Sequence, residues 1–465
     1  MSRETAIERA VRGFDDGTFL RDLARRVAFR TESQVKESRP YLTTYLTEEI
    51  GPTLSRSGYE IRLFENPVAG GGPFLVAERI EDPALPTVLT YGHGDVIRGL
   101  EPQWRQGLDP WVMTQEGERY YGRGTADNKA QHSINMAALA SVIADRGRLG
   151  FNSKFLIETS EEIGSPGLAE FCRGQKELLA SDMLIGSDGP RLAPERSTIY
   201  MGTRGALNFD LTVELREGGH HSGNWGGLLA NPGVILAHAL ASIIDRNGKV
   251  LVRDIVPDAI PNSVRDALAN IEIQSPPEGP AVDRWWGEPG LSEAEKVFAW
   301  NTFEILMFRT GNPDNPVNAV PPWATAHCQI RFTVDKKPAT FLPALRRHLD
   351  AHGFAMVKLA QARQEVFHAT RLDPTHPAAQ WAAASIERTT GKKPAMLPNL
   401  GGSLPYDVFA DLLGLPTIWV PHSYPSCSQH APDEHMLGSV AREGLMMMAG
   451  LFWDLGEKGV PAGKG

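Results

Sequence analysis

A chain of 465 residues exceeds one ordinary core, so two domains are expected. Its 42% hydrophobic and 22% charged residues are those of a soluble globular protein. With 47 basic against 56 acidic side chains the net charge is −9, which argues against nucleic-acid binding, since that needs a dense basic face. No apolar run approaches a membrane span, and the start MSRETAIERAVRG lacks the apolar core of a signal peptide. Cys172, Cys328 and Cys427 are odd in number and far apart. Together these features predict a cytoplasmic protein with unpaired thiols.

Helices are predicted over roughly 15–30 and 36–57, the second stopping at Ser-Gly. Strand-like runs follow: YEIRLF, PFLVAERI and PTVLTYG, the last leading directly into His93. After a Gly-Arg-Gly loop, 129–146 has the pattern of an amphipathic helix. FNSKFLIE (strand), SPGLAEFCRGQKELL (helix), DMLIGSDG and STIYMG (strands) then alternate. Strand–helix alternation predicts an α/β catalytic domain, a mostly parallel sheet flanked by helices. Near Gly202 the texture changes. GALNFDLTVEL, FEILMFRTG and ATAHCQIRFTVD alternate as half-buried strands do, and NPGVILAHALASIID and FLPALRRHLDAHG are helical, which predicts an inserted α+β domain over 203–372. The Pro-, Gly- and charge-rich stretch 258–300 is expected to be an excursion within it. From Pro374 the first texture resumes, so the first domain is expected to comprise 1–202 and 373–465.

The hydrophobic runs end in lone charged residues: His93 and Asp95 in YGHGDV, Asp127 in GRGTADNK, Glu161-Glu162 in LIETSEE, Asp188 in LIGSDG and His430 in SQHAPDE. In an α/β fold such strand ends converge at one sheet edge. Two imidazoles and several carboxylates there form the ligand set of a dinuclear Zn²⁺-type centre. Residues two apart in extended backbone face the same way, so Asp95 can accept the spare ring N–H of His93. Asp127, ahead of a helix, suits a helix cap, a bridging carboxylate, or both. The adjacent Glu161 and Glu162 point to opposite sides, so one can ligate metal while the other serves as a general base. His422, in PHSYP, competes with His430 for the ligand role, and spacing does not separate them.

Taken in order, GHGDV, WRQGLDPW…YGRGTADNK, TSEEIGSPG, SDG, GTRGALNF, HSGNWGG, NAVPPWATAHCQIRF, GGSLPYDVF and QHAPDE resemble the M20 family of metallopeptidases, and within it the carnosinase-like and bacterial dipeptidases. The resemblance covers essentially the whole chain. It implies a zinc-exopeptidase-type fold with a lid and dimerisation domain. It assigns His93 and Asp188 to one metal, Glu162 and His430 to the other, and Asp127 to a bridge between them. His430 fits the family position better than His422. Glu161 would be the general base toward a metal-bridging water, with Asp95 supporting His93. His221 would reach the partner subunit's site as oxyanion donor. Arg331 would bind the substrate's free carboxylate, and Asn318, Gly402 and Ser403 would contact its backbone. The family commonly has a cis peptide after the bridging aspartate, here Asp127–Asn128.

Two departures bear on substrate. Asp188 stands where many deacylases and carboxypeptidases of the family have Glu, which favours substrates with free termini. Asn318 stands where carnosinase-like members often have Thr. The resemblance thus predicts a homodimeric hydrolase with two divalent ions, zinc or else manganese or cobalt. It would cut the amide bond of dipeptides or similar small N-acyl amino acids. The alternative is a deacylase, carboxypeptidase or other amide hydrolase on the same scaffold. The partners implied are a small substrate and a second subunit, with no nucleic acid and no membrane.

Overall fold

The structure is a computed structural model and describes residues 2–273, 280–362 and 366–461. Its larger sheet has eight strands, in the order Glu60–Phe64, Phe74–Arg79, Asn152–Glu158, Thr87–His93, Met183–Gly186, Thr417–Trp419, Thr198–Tyr200, Ala395–Leu397. The four central strands run parallel to one another. Both outer strands on the first side are antiparallel, as is the pairing of Thr417–Trp419 with Thr198–Tyr200. The sheet is therefore more mixed than strand–helix alternation implies: its first two strands are joined by a short link without a crossover helix, and Thr198–Tyr200 and Thr417–Trp419 lie on either side of residues 203–372.

The sheet is buried on both faces: every residue of Asn152–Glu158 is buried, with the apolar Phe155, Leu156 and Ile157 at its centre. Side chains alternate between two cores. Val88, Phe155, Met183, Ile185 and Ile418 pack under the helices Arg3–Asp15, Lys129–Arg146 and Gly438–Lys458. Leu89, Leu156, Leu184 and Trp419 face Leu168 and Phe171 on the other side. The helix Arg3–Asp15 lies ahead of the first predicted one. Its only buried apolar side chains are Ala6 and Ala10, too few for a periodic signal. A capping box at Ser2 starts it, and the buried pair between Arg3 and Asp454 (2.9 Å) ties it to the last helix. The predicted helix at 36–57 is a helical run from Lys36 to Arg56 that widens to a π-turn over Tyr45–Ile50.

The smaller sheet is antiparallel: Thr302–Thr310, Trp323–Phe332, Gly205–Glu214, Lys358–Gln361. Trp323–Phe332 alternates strictly between buried and half-buried residues, the period of a sheet covered on one face. The cover is Pro232–Ile243 and Phe341–Ala351. The chain leaves the larger sheet at Gly202–Thr203 and returns antiparallel beside it at Thr370–Arg371.

Candidate metal centre

The parallel strands end together, and their C-terminal ends carry the polar side chains. His93 is the last residue of its strand and is fully buried. Glu161 and Glu162 form a tight turn after Glu158, and Asp188 follows Gly186. His430 arrives from the loop beyond Thr417–Trp419, and Asp127 from the loop before the helix Lys129–Arg146. The Asp127–Asn128 peptide is cis.

Asp127 lies between the two imidazoles. Its Oδ1 is 2.9 Å from His93 Nε2 and its Oδ2 is 3.0 Å from His430 Nε2. Two groups of ligand atoms result, His93/Asp127/Asp188 and Asp127/Glu162/His430, each with all its atoms within 4.8 Å of one another. Glu162 Oε2 is 2.9 Å from His430 Nε2, and Asp188 Oδ2 is 3.8 Å from His93 Nε2. Glu161 is in neither group, yet its Oε2 is 3.9 Å from His93 Nε2.

These residues fit a pair of divalent cations on two counts. Asp188 Oδ2 is buried and has no hydrogen-bond partner among the described residues, which is costly for an acceptor unless a cation completes it. Four carboxylates also face two imidazoles at short range, an excess of negative charge that protons or metal must compensate. The titration shifts express the same imbalance. Burial and the charge of Asp127 push Asp188 up to about 6 and Glu162 up to about 7. Burial raises Glu161 well above the carboxylate range; His93 opposes this, and Asp188 and Glu162 reinforce it. Hydrogen bonds to Asp127 and Glu162 raise His430 to about 11.

Asp95 differs in detail from the sequence expectation. The nearest acceptor to His93 Nδ1 is the backbone carbonyl of Asp95 itself, at 3.0 Å, with the carboxylate at 3.4 Å. The carboxylate accepts the backbone N–H groups of Glu161 and Glu162, both at 3.1 Å. Asp95 thus holds the turn that presents both glutamates while still touching His93. His422 is buried and belongs to neither group, its ring lying against Gly444 of the helix Gly438–Lys458.

Sequence reasoning missed Glu434. Its Oε1 accepts the N–H groups of Gly124 (3.0 Å), Ala126 (2.8 Å) and Asp127 (3.0 Å), and its Oε2 accepts from Arg123 (2.6 Å). One carboxylate therefore ties the segment carrying His430 to the loop carrying Asp127. The only signal was its place in QHAPDE, where a second acidic residue reads as solvated. The loop itself is contorted: Ser428, His430 and Asp433 all adopt left-handed backbone, with φ of 56°, 59° and 62°.

A cavity of about 550 Å³ opens on Asp127, Glu161, Asp188 and His430, and Gly402 and Ser403 line its far wall. Arg331 reaches that wall by donating to Ser403 Oγ (2.8 Å). His221 and Asn318 are elsewhere but adjacent to each other: the Ser222 N–H donates to the Asn318 carbonyl (2.8 Å), and His221 pairs with Ala319. His221 is exposed, and neither residue lines the cavity.

The chain is 25% identical to the beta-Ala-His dipeptidase of Rattus norvegicus over 398 residues, 82% of this chain and 80% of that one. It is 24% identical to the cysteinylglycine-S-conjugate dipeptidase of Corynebacterium striatum over 335 residues, 70% of each. Its fold matches that of human carnosine dipeptidase 1 with a TM-score of 0.77 at 22% identity, covering 97% of this chain and 99% of the other. Residues 89–454, which include every member of the two ligand groups, match the profile of peptidase family M20/M25/M40. The chain belongs to that family and is a hydrolase of peptide bonds.

Proposed function

We propose that the protein is a two-metal dipeptidase that cuts the amide bond of dipeptides or similar small N-acyl amino acids. The observation that carries this reading is the bridging position of Asp127, one carboxylate oxygen against each imidazole, with Glu161 beside the pair and outside both ligand groups. His93 and Asp188 would hold one ion, Glu162 and His430 the other, and zinc suits these nitrogen and oxygen donors. Bound there, divalent ions supply Lewis acidity and lower the pKa of water. Glu161 takes the proton from the attacking water and returns it to the leaving amine, a role that suits a carboxyl whose pKa is raised by burial. Asp95 keeps Glu161 aimed through the backbone N–H it accepts. Arg331, with its planar fork, takes the substrate's free carboxylate beside Gly402 and Ser403. Asn318 lies off its own chain's cavity, so its contact with the substrate backbone would be made across the dimer.

Residues 203–372 act as lid and dimerisation domain, and 1–202 with 373–465 as the catalytic domain. His221 and Asn318 lie together, off the cavity of their own chain, which supports a homodimer in which the partner subunit's His221 supplies the oxyanion donor. A cytoplasmic location agrees with three buried cysteines that form no disulfide. Among the described residues no helix is long and apolar enough to cross a membrane.

Replacing Glu161 by Gln tests the mechanism. The variant should retain its metal, read by elemental analysis, and lose about 10²–10⁴-fold in kcat. Normal turnover would dismiss Glu161 as the base. A panel of Ala-Ala-type dipeptides against N-acetyl amino acids, run on the same preparation, distinguishes dipeptidase from deacylase.

A further inference from the structure

We propose that a second cavity, of about 420 Å³, is a binding site for a free amino acid with a bulky apolar side chain. It lies between Arg204, the edge strand starting at Thr302, and the 283–300 stretch. It contains none of the residues of the candidate metal centre and shares only Ile273 and Val297 with the cavity there. Its size is that of a small-molecule pocket.

Three polar atoms on its lining residues are buried without a hydrogen-bond partner among the described residues: Arg204 Nη1, Trp300 Nε1 and Glu288 Oε2. Arg204 and Trp300 are themselves only 9% and 7% exposed. Buried polar groups are ordinarily paired, so three orphans around one cavity mark it as built for a polar guest. Two are N–H donors, one of them cationic, which suits a carboxylate. The third is the Glu288 oxygen left over from the ion pairs that its Oε1 makes with Lys249 (3.8 Å) and Arg253 (3.7 Å), and it can accept from an ammonium. Trp286, Phe303 and Val250 supply the apolar part of the lining. A zwitterion with an apolar body offers a partner of the right kind to each of these groups. A metal ion does not, because the guanidinium repels it.

The lining is also preformed. Gly248 has φ +82°, and a Cβ there would fall 2.4 Å from the Trp286 ring, so only glycine lets the indole lie against this turn. Gly287 N–H donates to the Asn247 carbonyl (2.7 Å), and Lys296 Nζ to the Trp286 carbonyl (2.7 Å). The Arg204 Nε–H donates to the Gly401 carbonyl (3.1 Å), which fixes the guanidinium and leaves Nη1 for the guest.

Isothermal titration of the metal-loaded full chain with L-phenylalanine tests this. Saturable binding is expected, with glycine much weaker for lack of an apolar body. Trp300→Phe and Glu288→Gln should each weaken it by about fivefold or more, a loss of roughly 1 kcal/mol in binding. Asp188→Asn, which disables the metal centre, should leave it within about twofold. The indole N–H resonance of Trp300, identified by its loss in Trp300→Phe, should shift during the titration and guards against misfolded variants. No heat and no shift up to about 10 mM would overturn the assignment. So would binding that survives in Trp300→Phe and Glu288→Gln yet disappears in Asp188→Asn, since the amino acid would then sit at the metal centre.

Discussion

Glu434 has a stronger hold on the candidate metal centre than its exposed-looking motif suggests, since three backbone N–H groups of the Asp127 loop converge on one of its oxygens. Glu434→Ala would leave them buried and unpaired, at about 1–3 kcal/mol each before relaxation. The expected result is a lower melting temperature and a metal affinity weaker by about 10–100-fold, measured by competition with a chromogenic chelator. Glu434→Gln keeps one acceptor oxygen but turns an amide N–H₂ toward Arg123, so it should fall between wild type and Ala. Wild-type metal affinity in Glu434→Ala would remove this residue from the account. His93, Glu161, Glu162 and Asp188 were legible because each ends or closely follows an apolar strand, whereas Asp127 and His430 lie in loops and stood out by their motifs. The choice between His430 and His422 was not legible in spacing, since both lie in one Pro/Ser-rich loop, and it rested on the family resemblance; in the structure His422 is buried against Gly444.

The edge strand Thr302–Thr310 of the smaller sheet exposes four consecutive apolar residues, Ile305 (44%), Leu306 (54%), Met307 (41%) and Phe308 (44%). A register shift between Ile305 and Met307 breaks the alternation that would bury half of them. An apolar edge of this kind, unpaired among the described residues, is a template for another chain, which is how the proposed homodimer would use it. Leu306→Lys should convert the dimer to a monomer in light scattering and depress activity, because the partner subunit's His221 is then lost. A wild-type protein that is monomeric and fully active would refute both points. The strand was legible from FEILMFRTG, but its bulge was not, because a bulge depends on the facing strand. Lys358–Gln361 and Ala395–Leu397 went unread for a related reason. They are four and three residues long, and their strand character comes from their neighbours in the sheets.

The whole chain is tied together at the metal centre, since residues from 93 to 430 meet there, and its charge balance sets how the fold answers to pH. Asp188 and Glu162, raised to about 6 and 7, hold protons better folded than unfolded, where carboxyls titrate near about 4. Without metal their contribution therefore falls as pH climbs from about 4 to 7. His430, raised to about 11 from an unfolded value near 6.5, acts in the same direction, with stability present below about 6.5 and lost above it. Asp127 is depressed, burial notwithstanding, by its bonds to His430 and His93, so its own window lies below about pH 4. Protein treated with chelator should accordingly melt at progressively lower temperature from pH 5.5 to 8. Metal ions compete with these same protons, so their affinity and the stabilisation they give rise over that range. The gap in melting temperature between zinc-loaded and chelated protein should widen steadily with pH. A gap that stayed constant across the range would mean that the carboxylates and His430 are not the groups on which metal and protons compete.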